Sequence, residues 1–146
     1  MSNKTILHQV NFDDGQRYDW GMIETFERCE LVEDTERPGK CLVTKILEYS
    51  ALDCPQRTLG HLSGQKLTVS FDLRVENAPE GFVFVGVASN GEHFNVRSPV
   101  PTNKWQRYTI PVDLTGLTKK SLDLIVFYSD KNPTTRAFFD NIIIEN

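Results

Sequence analysis

Apolar residues recur along the chain in short alternating or β-branched runs about every 10 to 15 residues, and no 3.6-residue period is sustained over three turns. The pattern predicts ten strands, near Ile6–Asn11, Cys29–Val32, Lys40–Glu48, Gln56–His61, Gln65–Val75, Phe82–Ala88, His93–Ser98, Trp105–Pro111, Ser121–Tyr128 and Ala137–Ile144. The run from Lys66 to Val75 alternates most strictly. Leu67, Val69, Phe71, Leu73 and Val75 share one face, and Thr68, Ser70, Asp72 and Arg74 the other, so one side is expected buried and the other polar and wet. Turn formers separate the runs, and Ser89-Asn90-Gly91 predicts a tight hairpin. Ser50-Ala51-Leu52-Asp53 reads as a loop after Tyr49, and Val112 to Thr118 as no more than one helical turn.

Ten short strands with one polar face each cannot lie in a single open sheet without wetting its apolar side. The expected architecture is therefore all-β, a two-sheet antiparallel β-sandwich of jelly-roll type. At 146 residues the chain suits a single domain spanning 1–146.

Composition narrows the partners. Lys and Arg number 16 against 20 Asp and Glu, a formal charge of -4, which is the wrong sign for a surface that tracks phosphates, so no nucleic-acid partner is expected. No apolar run approaches the roughly 20 residues of a membrane helix, and Met1-Ser2-Asn3-Lys4-Thr5 lacks the apolar stretch of a signal peptide. The expectation is a monomer without a membrane partner, extracellular as a piece of a secreted parent, with a cytoplasmic location the other option.

The sequence carries no nucleophile elbow, phosphate loop, dinucleotide fingerprint or metal-binding histidine spacing among His8, His61 and His93. Cys29, Cys41 and Cys54 match no zinc signature, and they read as buried thiols or as one disulfide plus a free thiol. Carboxylates are numerous, but nothing singles out a catalytic pair, so the chain is expected to be non-catalytic. The stretch from Glu30 to Glu36 reads as a charged edge strand that discourages pairing with other chains.

Six segments in order resemble the jelly-roll carbohydrate-binding modules of families four, nine and twenty-two, which are galactose-binding-domain-like. They are Asn11-Phe12-Asp13-Asp14-Gly15 with Trp20-Gly21, the turn Pro38-Gly39 before Lys40-Cys41-Leu42, Gln56 to Gly64 leading into Leu67 to Phe71, Trp105 to Ile110, Leu122 to Tyr128, and Phe138-Phe139-Asp140-Asn141-Ile142. The resemblance implies a module that binds a plant or microbial polysaccharide of β-glucan, xylan or mannan type in a cleft on the concave sheet. It also implies an attached glycoside hydrolase. The alternative from another class is a sandwich used for protein contact within a larger enzyme.

Sugar binding needs flat rings against pyranose faces and planar or charged groups on hydroxyl pairs. The candidates are Tyr49, Gln56, Arg57, Phe84, Phe94, Arg97, Tyr128 and Asp130. The resembled families often carry a Trp platform near Tyr49; none stands here, which implies a weaker or displaced platform. Arg57 and Arg97 alternatively pair with Asp72 and Glu92 across strands. Trp20 and Trp105 sit where the family keeps packing residues, with Trp20 expected to be the more exposed. The resemblance further implies a structural calcium at the Asn11 carbonyl, Asp13, Glu36, a carbonyl at Gly39 or Lys40, and Asp140. The alternative is that backbone amides satisfy both aspartates without an ion.

Overall fold

The computed structural model describes residues 5–21, 29–45, 49–54, 66–89, 92–115 and 122–146. Ten strands account for most of them: β1 (Ile6–Val10), β2 (Cys29–Glu33), β3 (Lys40–Lys45), β4 (Tyr49–Cys54), β5 (Lys66–Glu76), β6 (Phe82–Ser89), β7 (Glu92–Val96), β8 (Gln106–Asp113), β9 (Leu122–Tyr128) and β10 (Arg136–Glu145). They form two antiparallel sheets. One has six strands in the order β2-β3-β10-β5-β8, with β1 also paired to β10, and the other has four in the order β4-β9-β6-β7. The chain is a two-sheet β-sandwich.

Its core lies between the sheets. Leu67, Val69, Phe71, Leu73 and Val75 of β5 meet Val85 and Val87 of β6 and Leu122, Leu124 and Val126 of β9 in one cluster of buried apolar side chains. Phe71 stacks beside Tyr108 and tilts against Phe139 at centroid distances of 6.0 and 5.9 Å. The first and last strands close the six-stranded sheet, with Val10 opposite Ile142 and His8 opposite Ile144.

Several elements depart from the sequence pattern. Tyr49 to Cys54, expected as a loop, is an edge strand in register with β9, Leu52 opposite Leu124. Leu52 packs into the core, and the segment Tyr49–Cys54 carries no β-branched side chain, so periodicity had little to register. β8 runs through Val112 to Asp113 rather than ending before a helical turn. The strand expected near Gln56–His61 lies outside the described residues. β6 and β7 pair with Ser89 opposite Glu92, as the hairpin expected there requires.

The largest departure is the outer face of β5. Ser70, Asp72 and Arg74, expected in water, are all buried. Arg37, from the 34–39 turn, reaches over the sheet to Asp72 and stacks on Trp105, 4.3 Å from the ring centroid. Arg74 in turn lies 3.9 Å from the centroid of Phe138. A second small apolar cluster of Cys41, Val43 and Phe138, flanked by Val32 and Trp105, completes this cover. Trp20, expected to be the more exposed indole, is fully buried, while Trp105 is only partly so. The reason is local: Trp20 packs into the main core and its Nε1 donates to His8 Nε2 at 2.9 Å.

Candidate functional site: the two outer sheet faces

The two outer faces differ in what their polar groups are free to do. On the six-stranded sheet they are occupied with one another. Asp72 accepts from Arg37 at 2.8 Å, Arg107 at 3.0 Å and Asn141 Nδ2 at 2.8 Å. Burial alone would raise its carboxyl, but these three donors outweigh it and hold the group below the usual carboxylate value. The sequence offered Arg57 and Arg97 as cross-strand partners for Asp72 and Glu92; Arg37 and Arg107 bind Asp72, because Arg37 reaches over the sheet from the 34–39 turn and Arg107 stands opposite Asp72 on β8.

The same face holds the residues expected to ligate calcium. Asp13 Oδ1 accepts from the Lys40 amide at 2.9 Å, and the Asp13 amide donates to Asn11 Oδ1 at 3.1 Å. Gly39, at φ 110°, lets the backbone pass against the Asp13 carboxylate where any β-carbon would collide with it. Asp140 is buried, with Oδ1 accepting from the Asn141 amide at 2.8 Å and Oδ2 facing Arg37 at 3.3 Å. Burial pushes its carboxyl up to about 6 against the pull of that amide and of Arg37, and the nearby Asp13 charge adds to the rise. Glu36 is exposed, and its amide donates to Asp34 Oδ1 at 2.9 Å. The Gly39 carbonyl accepts from the Asp34 amide at 2.9 Å. Among the described residues no three His, Cys, Asp or Glu side chains converge as a metal cluster would. The fold thus brings Asp13, Asp140 and the turn together, while Glu36 does not join the two aspartates as a third carboxylate.

The four-stranded sheet presents a different outer face. Along β6 and β9, Val85, Val87, Leu124 and Val126 point inward, so Phe84, Gly86, Ala88, Asp123, Ile125 and Phe127 point out. Phe84 and Phe127, opposite one another in register, stack with centroids 5.5 Å apart and planes 18° from parallel. Tyr49 occupies the next register position, opposite Phe127. The following register row runs through Ala51, Ile125, Gly86 and Asn95. β7 contributes exposed His93 and Asn95, and Arg97 lies exposed just beyond its end.

The expected ligand residues separate accordingly. Phe84, Arg97 and, by register, Tyr49 fall on this face. Tyr128 does not: one position past Phe127 on the alternating strand, it turns inward, is buried, and packs edge-on against Phe82 at 5.7 Å. Burial pushes its hydroxyl up to about 12. Phe94 also faces inward and packs against the core, opposite Val87. Asp130 is exposed in the turn after β9, its amide bonded to the Glu80 carbonyl at 3.3 Å. Gln56 and Arg57 lie outside the described residues. Phe127 and Asn95 were missed from sequence; the apolar run Leu124-Ile125-Val126-Phe127 hides its outward members because both alternating positions are hydrophobic.

Cys29 and Cys41 are buried, and burial pushes the Cys41 thiol up to about 12, which leaves it unreactive as a nucleophile.

No family model and no curated protein matches the sequence. Solved structures do. The fold is similar to the CBM22-1 xylan-binding domain from Paenibacillus barcinonensis Xyn10C, at 12% identity over 99% of this chain and 96% of that chain, with a TM-score of 0.66. It is similar to the CBM22-1-GH10 modules of Clostridium thermocellum Xyn10B complexed with xylohexaose, at 13% identity over 96% of this chain and 28% of that longer chain, TM-score 0.63. A point mutant of CBM29-2, a family 29 carbohydrate-binding module, matches at 19% identity over 99% of this chain and 92% of that one, TM-score 0.57. Other CBM29-2 mutants are solved with mannohexaose and with cellulohexaose. These likenesses give the fold, that of jelly-roll carbohydrate-binding modules. Family 22 is among those that the sequence pattern resembles, and family 29 is an addition.

Proposed function

We propose that the chain is a non-catalytic module that binds a β-linked polysaccharide of glucan, xylan or mannan type on the outer face of its four-stranded sheet. The observation that carries this reading is the Phe84–Phe127 ring pair, which stacks on the sheet face turned away from the core. Rings in that position offer apolar surface to the C–H faces of pyranose units. The similar structures solved with xylohexaose, mannohexaose and cellulohexaose support this ligand class, and the one that carries a GH10 module supports an attached glycoside hydrolase as partner; a secreted parent belongs to the same proposal. In that setting the module raises the local substrate concentration for its enzyme.

Affinity electrophoresis in gels containing soluble xylan, glucomannan or mixed-linkage β-glucan tests the proposal. Retardation in at least one gel, lost in Phe84→Ala, is expected. Equal mobility in all three gels overturns the reading and leaves the protein-contact alternative in its place.

We also propose that Asp13 and Asp140, with the Asn11 and Lys40 carbonyls, hold a structural calcium ion, with Glu36 standing outside the ligand set. Support comes from the donor chemistry and from charge: Asp140 is buried beside a second carboxylate, and oxygen donors of this kind suit a hard cation. Calcium is expected to raise the thermal midpoint over that measured in chelator. An unchanged midpoint removes the ion and leaves Arg37 as the cation of this site.

A further inference from the structure

Resting on the glycan-binding reading of the four-stranded sheet, one polar side chain stands apart from the rest of the molecule. Asn95, on β7, is opposite Gly86 of β6 in the register. Gly86 has an ordinary negative φ, so its backbone does not require glycine; space does. A β-carbon there would collide with Asn95 Oδ1 and crowd the Phe94 carbonyl. The Asn95 side chain therefore leans from the edge strand over Gly86, on the outer face of the sheet.

That position is next to the rings. Gly86 and Phe84 are two apart on one strand and share its outer face, so they are separated by about 7 Å along the strand. Asn95 is exposed, and its side-chain amide makes no hydrogen bond to another described residue. The contrast with the opposite sheet is direct, since there Asn141 gives its side-chain amide to Asp72 and Asn103 accepts from Arg74 at 2.7 Å. Arg97, exposed at the ring end of the same edge strand, likewise has no carboxylate partner among the described residues, and the expected pairing with Glu92 is not formed.

From this juxtaposition we infer that Asn95 is the residue that reads hydroxyl configuration: its planar amide, seated over Gly86 beside the Phe84–Phe127 stack, offers one donor and one acceptor to two adjacent hydroxyls of a sugar stacked on the rings. The glycine is part of the device, because only a residue without a side chain leaves the amide that seat. The rings supply contact area that any β-linked pyranose satisfies; the amide supplies the direction-dependent contact that separates one sugar from another.

Isothermal titration calorimetry of the full chain with xylohexaose, mannohexaose and cellohexaose tests this, using the wild type, Asn95→Ala, Gly86→Ala and Phe84→Ala. The wild type is expected to bind at least one hexaose. Asn95→Ala is expected to weaken that binding about tenfold, the loss of two neutral hydrogen bonds, while keeping the wild-type thermal midpoint. Gly86→Ala, which displaces the amide without removing it, is expected to weaken binding in the same direction. If Gly86→Ala fails to fold, Asn95→Ala alone decides. Wild-type affinity within twofold in Asn95→Ala overturns the inference and leaves the ring-face reading standing. A lowered midpoint in Asn95→Ala also overturns it, since the residue is then structural. No heat from the wild type with any hexaose overturns both.

Discussion

A carboxylate in the middle of a sheet is tolerated only when donors surround it, and Asp72 has three, from the 34–39 turn, from β8 and from β10. Each donor comes from a different element, so this one side chain ties three pieces of chain to β5. Arg37 does the same from the other end. It meets Asp72, Asp140 and Asp34 at 2.8, 3.3 and 3.5 Å and covers Trp105 with its guanidinium plane. Removing the shared acceptor leaves Arg37, Arg107 and Asn141 short of a partner in a half-dry setting. Asp72→Ala is therefore expected to lower unfolding stability by about 2 to 3 kcal/mol, discounted from the cost of breaking a fully buried pair because both arginines are part-exposed. Urea denaturation with an unchanged slope measures it, and a loss below about 0.5 kcal/mol, the range of an ordinary surface change, contradicts the argument.

At the scale of the strand, neighbours only one position apart are assigned to opposite jobs. Phe127 of β9 stacks outward on Phe84, whereas Tyr128 is buried against Phe82 with a hydroxyl that finds no hydrogen-bond partner among the described residues. Two substitutions on one strand should then separate binding from stability. Tyr128→Phe is expected to keep or raise the thermal midpoint, since it deletes an unsatisfied buried polar atom, and to leave retardation by glycan gels as it was. Phe127→Ala is expected to abolish that retardation while the chain still unfolds cooperatively. The reverse assignment of effects contradicts the facing of β9. The strand also marks where sequence reading runs out. The strict alternation of β5 made its core face legible, yet its polar face was misread as wet, because nothing in the spacing of Ser70, Asp72 and Arg74 announces that Arg37 and Trp105 will cover them. β4 was missed because its stability comes from pairing with β9 rather than from its own residues. The Asn95–Gly86 pair was illegible for a plainer reason: the two meet across strands, and only the register shows that a glycine stands beneath an amide.

For the molecule as a whole, the decisive contact joins residues far apart in sequence. β1 pairs with the second half of β10, whose first half pairs with β3, so a single long strand holds both early strands of the chain. Two hydrogen bonds tie Thr5 to Asn146 there: the Asn146 amide donates to the Thr5 carbonyl at 3.1 Å, and the Thr5 amide to the side-chain Oδ1 of Asn146 at 3.3 Å. This closure was legible in the apolar runs at each end of the chain and in the segments Asn11-Phe12-Asp13 and Phe139-Asp140-Asn141, which the resemblance placed side by side. It follows that sequence order matters less to this fold than the pairing of β1 with β10. A circular permutant in which a short Gly/Ser linker joins Asn146 to Met1, with new ends opened in the exposed 77–80 turn, should keep every strand pairing. The turn suits the cut because it connects β5 in one sheet to β6 in the other and leaves both strands' core residues in place. The permutant is expected to unfold in one cooperative step and to be retarded by the same glycan gels as the parent chain. Loss of cooperative unfolding there, with the parent intact, means that the fold depends on continuity through that turn and not on closure by the first and last strands.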